Sequence, residues 1–271
     1  MVDDAGREFR AHLRRQMRKM YEWPTDFWLR VLGEGLGFHL GHFPAAEVSL
    51  SESMALAVLD LANMKASSRP RSVLDVGCGW GQPAFELSSL WDAPVHGLTI
   101  SARQAEYVNQ TALIRGLQVN ARVADVEHMN FSNLGTFDAV VLYEVLEHIV
   151  DRRALFEGLC RVSRPETALL IAVSCDCTGE GIWSELQGVQ PLDSVSEVHE
   201  HLCRTGWKVV KSVDCTALTI PVWRFWLQNL NGICDPCWSA PANRLVEEFQ
   251  ELEKMFRLGR LASFQMIAHR N

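Results

Sequence analysis

Residues 72–88 read SVLDVGCGWGQPAFELS. Val73, Leu74 and Val76 make a short apolar run interrupted by Asp75, the run 77–81 (GCGWG) breaks it, and a helical pattern begins at about Pro83. The stretch predicts strand, glycine loop and helix. Gly77, Gly79 and Gly81 remove side chains where a ligand meets the backbone and permit positive φ, and Pro83 suits a first helical turn, where its missing N–H is no loss. The glycines run G-x-G-x-G instead of G-x-G-x-x-G and no P-loop lysine follows, which excludes the phosphate-binding versions of this turn. An acid at the strand end, Asp75, repels a pyrophosphate and attracts a cation.

The residues D-V-G-C-G-x-G at 75–81 resemble motif I of the class I S-adenosylmethionine-dependent methyltransferases, whose cofactor carries a sulfonium and an ammonium instead of phosphates. The resemblance runs from about residue 38 to the C-terminus. Residues 93–99 read as the second strand with its entry, which most of these enzymes end with an Asp or Glu for the ribose hydroxyls; this chain has none there. It has Thr99-Ile100-Ser101-Ala102-Arg103-Gln104, the T-x-S-x-x-Q pattern of the branch with sterol, tocopherol, cyclopropane and rebeccamycin-type sugar enzymes. There the hydroxyl and the Gln amide serve cofactor hydroxyls or carboxylate, and an amide both donates and accepts. Ser101 also reads as the cap of a helix over 102–116, with Gln104 at the capping-box position. After a third strand at 121–124, the resemblance assigns the adenine amino group to Asp125, followed by Val126 and Glu127. The fourth strand, 137–142, is apolar after Asp138, as expected of a parallel strand buried on both faces. It runs into Tyr143-Glu144-Val145-Leu146-Glu147-His148, similar to the family's segment ending in E-H. These positions lie at the carboxyl ends of strands, where open α/β sheets bind ligands.

The implied cofactor set is Asp75, Gly77, Cys78, Gly79, Gly81, Thr99, Ile100, Gln104, Asp125, Val126, Glu127, Tyr143 and His148. Glu144, Glu147 and His148 are candidates to hold the sulfonium end or take an acceptor proton, with support of the following helix as the plainer reading. Upstream, residues 33–43 (GEGLGFHLGHF) are similar to the L-H-[FL]-G-[YH]-[WF] segment of the same branch, which closes over the cofactor and touches the acceptor. That makes His39 and His42 catalytic candidates and Phe43 an acceptor contact, against a histidine that only ties a loop.

Residues 1–32 read as helix with a break near Trp23-Pro24 and an aromatic face (Tyr21, Trp23, Phe27, Trp28) that packs on the domain, a partner subunit or the ligand. A helix is expected over 49–64. Later come a helix at 151–162, an ordinary turn at Arg164-Pro165-Glu166-Thr167 where the family has R-P-G-G, a fifth strand at 168–174, an aperiodic flap at 175–190, a helix at 195–205, a sixth strand at 206–214, a helix at 244–257 and a closing strand at 262–268. The expected architecture is α/β: a Rossmann-like, seven-stranded, mostly parallel sheet with helices on both faces over residues 67–271. An N-terminal helical lid over 1–66 and an acceptor-covering insert at about 215–258 complete it.

The chain of 271 residues is long enough for one substantial core or a domain with a smaller lid. A net charge of −7 argues against nucleic acid, and the basic run at 10–19 carries Leu13, Met17 and Met20 at helical spacing, so it reads as an amphipathic helix with a solvated basic face. No apolar run approaches the about 18 residues of a membrane span, and no signal-peptide pattern opens the chain, so a cytoplasmic protein with eight reduced cysteines is expected. Cys234-Asp-Pro-Cys237 invites zinc, but Cys175-x-Cys177 has an unusual spacing for it and the other cysteines look isolated, so no metal is expected.

The resemblance implies methyl transfer from S-adenosylmethionine to a small-molecule acceptor, with S-adenosylhomocysteine as product and the acceptor atom (O, N or C) open. The enzyme has to place a nucleophile behind an activated methyl group and exclude water, and it needs a base only where the acceptor loses a proton. Residues 174–190 contain no Lys or Arg but include Asp176, Glu180 and Glu185, while Trp183, Trp223, Phe225 and Trp226 suit a flat or cationic molecule. A neutral or amine-bearing natural-product intermediate is therefore favoured over a prenyl diphosphate, whose buried charge only Arg224 is placed to meet. C-methylation of an isoprenoid, a cofactor-binding cyclase and a non-catalytic binding protein of the same fold stay open. So does a homo-oligomer through the N-terminal helices.

Overall fold

The computed structural model describes residues 4–65 and 69–270, so the expected domain boundary between residues 66 and 67 falls outside the described residues. Three helices precede the first strand: α1 (Asp4–Tyr21), α2 (Thr25–Leu32) and α3 (Leu50–Asn63). Pro24 starts α2 as its N-cap, and Ser49 caps α3 by accepting the Glu52 N–H. Strand and helix then alternate except between β3 and β4: β1 (Val73–Val76), α4 (Gln82–Trp91), β2 (Val95–Thr99), α5 (Ala102–Arg115), β3 (Val119–Val123), β4 (Phe137–Tyr143), α6 (Arg152–Cys160), β5 (Ser163–Asp176), α7 (Val195–Arg204) and β6 (Trp207–Asp214). A helical stretch of α8 (Thr216–Thr219), α9 (Val222–Asn231) and α10 (Ser239–Arg257) leads into β7 (Leu261–Arg270).

The strands form one sheet in the order β3-β2-β1-β4-β5-β7-β6. The pairs from β3 through β5 are parallel, and β7 runs antiparallel to both its neighbours. Alternation along the strands sends side chains to two cores. Val73, Ala139, Val141 and Leu170 face α3, α4 and α5, whereas Leu74, Val76, Val140 and Leu169 face α6 and α7. A third core joins α2, the 36–43 segment, α9 and α10 above the carboxyl edge of the sheet. Two rings of the aromatic face of α1 and α2 pack within the chain: Trp28 on Phe38 at 5.1 Å and Phe27 on Trp238 at 5.4 Å between ring centroids. No helix among the described residues is long and apolar enough to cross a membrane.

The elements differ from expectation in a few places. The segment Arg164-Pro165-Glu166-Thr167 is not a free turn but part of β5, bulged out of register, because the Thr167 hydroxyl donates to the Phe137 carbonyl and Arg164 pairs with Asp138. Strand β3 starts at Val119, and α10 starts at Ser239, five residues before the expected helix. Ser101 caps α5 by accepting the Gln104 N–H, but the capping box does not close, since the Gln104 side-chain oxygen is taken by the Thr99 hydroxyl at 2.6 Å.

Candidate active site

Neighbouring strands β1 and β4 turn opposite ways at their carboxyl ends, and the crevice opens there. The chain leaves β1 through Gly77 at φ +76° and leaves β4 through Glu144 at φ +51°. A side chain at Gly77 would strike Val145, with a built Cβ 2.4 Å from Cγ2. The left-handed conformation costs a non-glycine residue about 1–2 kcal/mol. Glu144 is held in it by the Leu40 N–H, which donates to its carboxylate at 2.9 Å and so also pins the 36–43 segment over the crevice.

The first chamber has two adjoining lobes of about 580 and 460 Å³. Asp75, Cys78, Tyr143 and His39 line the inner lobe; Thr99, Ile100, Asp125, Val126, Glu127 and His148 line the outer one; and Gly77, Gly79, Gln104, Glu144 and Tyr21 belong to both. Of the cofactor set only Gly81 lies outside. It makes the left-handed N-cap of α4 at φ +87°, and a Cβ there would meet Val108 and Phe85. At Gly79 a Cβ would meet nothing nearer than the Gly77 carbonyl at 4.0 Å, so the loop leaves open space on that side.

Both carboxylate oxygens of Asp75 and the amide nitrogen of Gln104 are buried without partners. Burial pushes the Asp75 carboxyl up to about 7. An acceptor pair and an amide donor beside a bare glycine floor fit a ligand with an ammonium and hydroxyl or carboxylate oxygens. Burial also pushes His39 down to about 4, so its neutral ring donates from Nε2 to Gln82 at 2.6 Å and stands edge-on to Tyr143.

Asp125 is more occupied than expected. Its Oδ2 accepts from Arg14 at 2.7 Å and Arg18 at 2.6 Å, and its Oδ1 accepts the Glu127 N–H. Burial raises the Asp125 carboxyl, but the Arg14 charge, the Glu127 N–H and His128 outweigh it and hold the group below its usual range. Glu127 ties the chain by accepting the Val150 and Asp151 N–H groups and by pairing with Arg14. The basic face of α1 is thus only partly solvated.

A second chamber of about 650 Å³ adjoins the first and shares Tyr21, Glu144 and His148 with it. Glu147, Trp223 and Trp226 also line it, together with Phe256 and Leu252 of α10. Burial pushes Glu147 up to about 7 and, with Glu147 nearby, lifts Glu144 well above the carboxylate range. Burial lowers His148 to about 4. Its Nδ1 faces the Gly188 carbonyl and its Nε2 the Tyr21 hydroxyl, each at 3.5 Å.

Five expected site residues lie elsewhere. His42 pairs with Asp60 at 2.7 Å and only ties its loop. Phe43 and Phe225 stack on each other at 5.3 Å, and Arg224 lies outward over the Phe225 ring. Asp176 folds its own loop by accepting from Thr178, Gly181 and Ile182. Trp183 is 47% exposed and packs on Phe9. Conversely, Arg14, Met17 and Tyr21 line the first chamber and were missed as site residues; their spacing along one face of a helix was the available signal.

The G-x-G-x-G loop with Asp75 below it separates this crevice from a dinucleotide site, and the family match and the relatives make the chain an S-adenosylmethionine-dependent methyltransferase. It belongs to the mycolic acid cyclopropane synthetase family, whose profile matches residues 10–266. It is 32% identical over 208 residues to an O-methyltransferase of Pyrenophora dematioidea, covering 72% of this chain and 76% of that one. Among solved structures it is similar to the mycolic acid cyclopropane synthase CmaA1 complexed with SAH and CTAB, with a TM-score of 0.84 at 19% identity over 95% of this chain and 98% of that one. It is also similar to geranyl diphosphate methyltransferase in complex with GPP and sinefungin, with a TM-score of 0.73 at 20% identity over 96% and 100% of the two chains. At these identities the solved structures share the fold alone. The expected fold, enzyme class and cofactor stand.

Proposed function

We propose that this enzyme methylates a hydroxyl oxygen of an uncharged small molecule held in the second chamber, and that His148 takes the hydroxyl proton. The observation that carries this reading is the shared wall: Tyr21, Glu144 and His148 line both chambers. Asp75, Gly77, Gly79, Thr99 and Gln104 would hold the cofactor. When bound, S-adenosylmethionine supplies a methyl group already activated for displacement. The rest falls to the protein. With its proton on Nδ1 donated to Gly188, His148 presents its Nε2 lone pair at the shared wall, facing the Tyr21 hydroxyl at 3.5 Å, and its low basicity keeps it neutral near pH 7. Trp223, Trp226 and Phe256 keep water from the reacting oxygen, and α1 with the 33–43 segment acts as the lid.

An uncharged acceptor suits the chamber because no Lys or Arg among the described residues lines it, and Arg224 points away. The raised Glu144 and Glu147 carboxyls likewise favour neutral contents near pH 7. The name of the Pyrenophora relative supports oxygen as the methylated atom. The test is S-adenosylhomocysteine formation, read by mass, with a panel of uncharged phenols and alcohols and with geranyl diphosphate. Product with the hydroxyl compounds supports the reading, and product with geranyl diphosphate alone overturns it.

A further inference from the structure

Six residues with a buried, unpartnered side-chain N or O atom line the two chambers: Asp75, Trp80 and Gln104 the first, and Glu147, Trp223 and Trp226 the second. Unmet polar atoms at such depth are costly, and a ligand is one reason to keep those that line a chamber. Among the residues lining the second chamber these atoms are of two kinds: the Oε2 of Glu147, the residue before His148, and two indole N–H groups, which only donate.

We infer that the acceptor is a hydroxy-carbonyl compound, with its hydroxyl at the His148 and Glu147 end and its carbonyl oxygen received by the indole N–H groups of Trp223 and Trp226. The inference rests on the reading of the second chamber as the acceptor's. Trp223 and Trp226 sit three residues apart on one face of α9 and are 4% and 2% exposed. Their rings meet edge to face at 5.4 Å and both pack on Phe249, which fixes their planes. An N–H over a neighbouring ring is worth less than one given to a carbonyl, so the packing does not satisfy these donors. A purely apolar acceptor would leave both indoles unmet, and Phe would serve such a molecule equally well. A diphosphate would find two neutral donors and no cation.

The probes are para-hydroxybenzophenone and para-benzylphenol, which differ by a carbonyl against a methylene. Calorimetric titration into protein loaded with S-adenosylhomocysteine should show the ketone binding about 10-fold more tightly. In the Trp223→Phe, Trp226→Phe double variant, checked for fold by circular dichroism, the advantage should fall below about 2-fold; if the double variant does not fold, each single variant should lose about 3-fold of it. Two indole N–H proton resonances of the wild type, assigned with the single variants, should move downfield with the ketone only. No ketone binding, equal affinities in the wild type, or an advantage that survives the Phe substitutions overturns the inference. Methyl transfer is scored separately: turnover without carbonyl preference defeats this inference alone, and carbonyl preference without turnover defeats only the hydroxyl-methylation reading.

Discussion

The hydroxyl of Tyr21, at the C-terminal end of α1, stands 3.5 Å from Nε2 of His148, which follows β4 at the carboxyl edge of the sheet. Helix α1 therefore reaches the side chain proposed as the proton acceptor. A hydroxyl donated to Nε2 favours the neutral ring, so its removal should make His148 easier to protonate. Activity should be present above about pH 4 and lost below it, where His148 becomes charged. In Tyr21→Phe that acid limb should move to higher pH, and kcat should fall by about 10-fold. A rate profile against pH, measured for both proteins, checks this; an unmoved limb would separate Tyr21 from the base.

Asp75 should give the first chamber its own pH dependence. Its folded-state value is raised to about 7, so the ligand-free fold holds a proton that the unfolded chain releases earlier. The sign follows: this group favours the free fold below its ordinary carboxylate range, and that contribution is lost as the pH rises through about 7. A ligand ammonium prefers the ionised form. Affinity for S-adenosylhomocysteine should therefore increase as the pH climbs through about 7, and the increase should vanish in Asp75→Asn. Calorimetric titration across that range, in buffers of different ionisation enthalpy, should also register a released proton. A flat profile in the wild type would remove Asp75 from the ammonium site.

Two glycines of the loop separate packing from binding. A methyl group at Gly77 runs into Val145, so Gly77→Ala should cost roughly 1–3 kcal/mol of stability. At Gly79 the methyl group finds open space, and only the positive φ costs about 1–2 kcal/mol. Gly79→Val should fold and yet bind cofactor at least about 10-fold more weakly. Thermal melts together with titration decide it, and wild-type affinity in Gly79→Val would mean that the loop faces something other than the cofactor.

Much of this was legible because it is local in sequence. The glycine loop, Asp75 and the Thr99–Gln104 pair lie within single strand-to-helix turns, so the residue types alone define their placement. Orientation across the fold was not legible in that way. Trp223 and Trp226 reach the chamber while Phe225 turns to Phe43, a division that helical spacing permits but does not assign to a face. Asp176 lies in the expected acceptor flap, yet its carboxylate is consumed by four nearby donors of its own loop. Arg14 and Arg18 read as solvated because their partner, Asp125, lies more than a hundred residues away.

That pairing would have the cofactor share a carboxylate with α1. If Asp125 takes the adenine amino group, it does so with Arg14 and Arg18 of α1 held on its Oδ2. Arg14→Ala should loosen α1, raising its amide hydrogen exchange, and should speed cofactor entry. Asp125→Ala should loosen α1 as well but weaken cofactor binding. Hydrogen exchange and stopped-flow binding distinguish the two variants, and unchanged cofactor affinity in Asp125→Ala would place adenine elsewhere.

The central claim is transfer to a hydroxyl oxygen with His148 as proton acceptor, and the most direct measurement follows the methyl group itself. S-adenosylmethionine carrying a deuterated methyl group is incubated with para-hydroxybenzophenone and either wild-type protein or His148→Ala, and the product is analysed by mass spectrometry and NMR. The expected result is a labelled methyl ether from the wild type. In His148→Ala the rate should fall about 100-fold or more, with affinity for S-adenosylhomocysteine kept within about 3-fold. Label on carbon, or a labelled ether formed by His148→Ala at the wild-type rate, would contradict it.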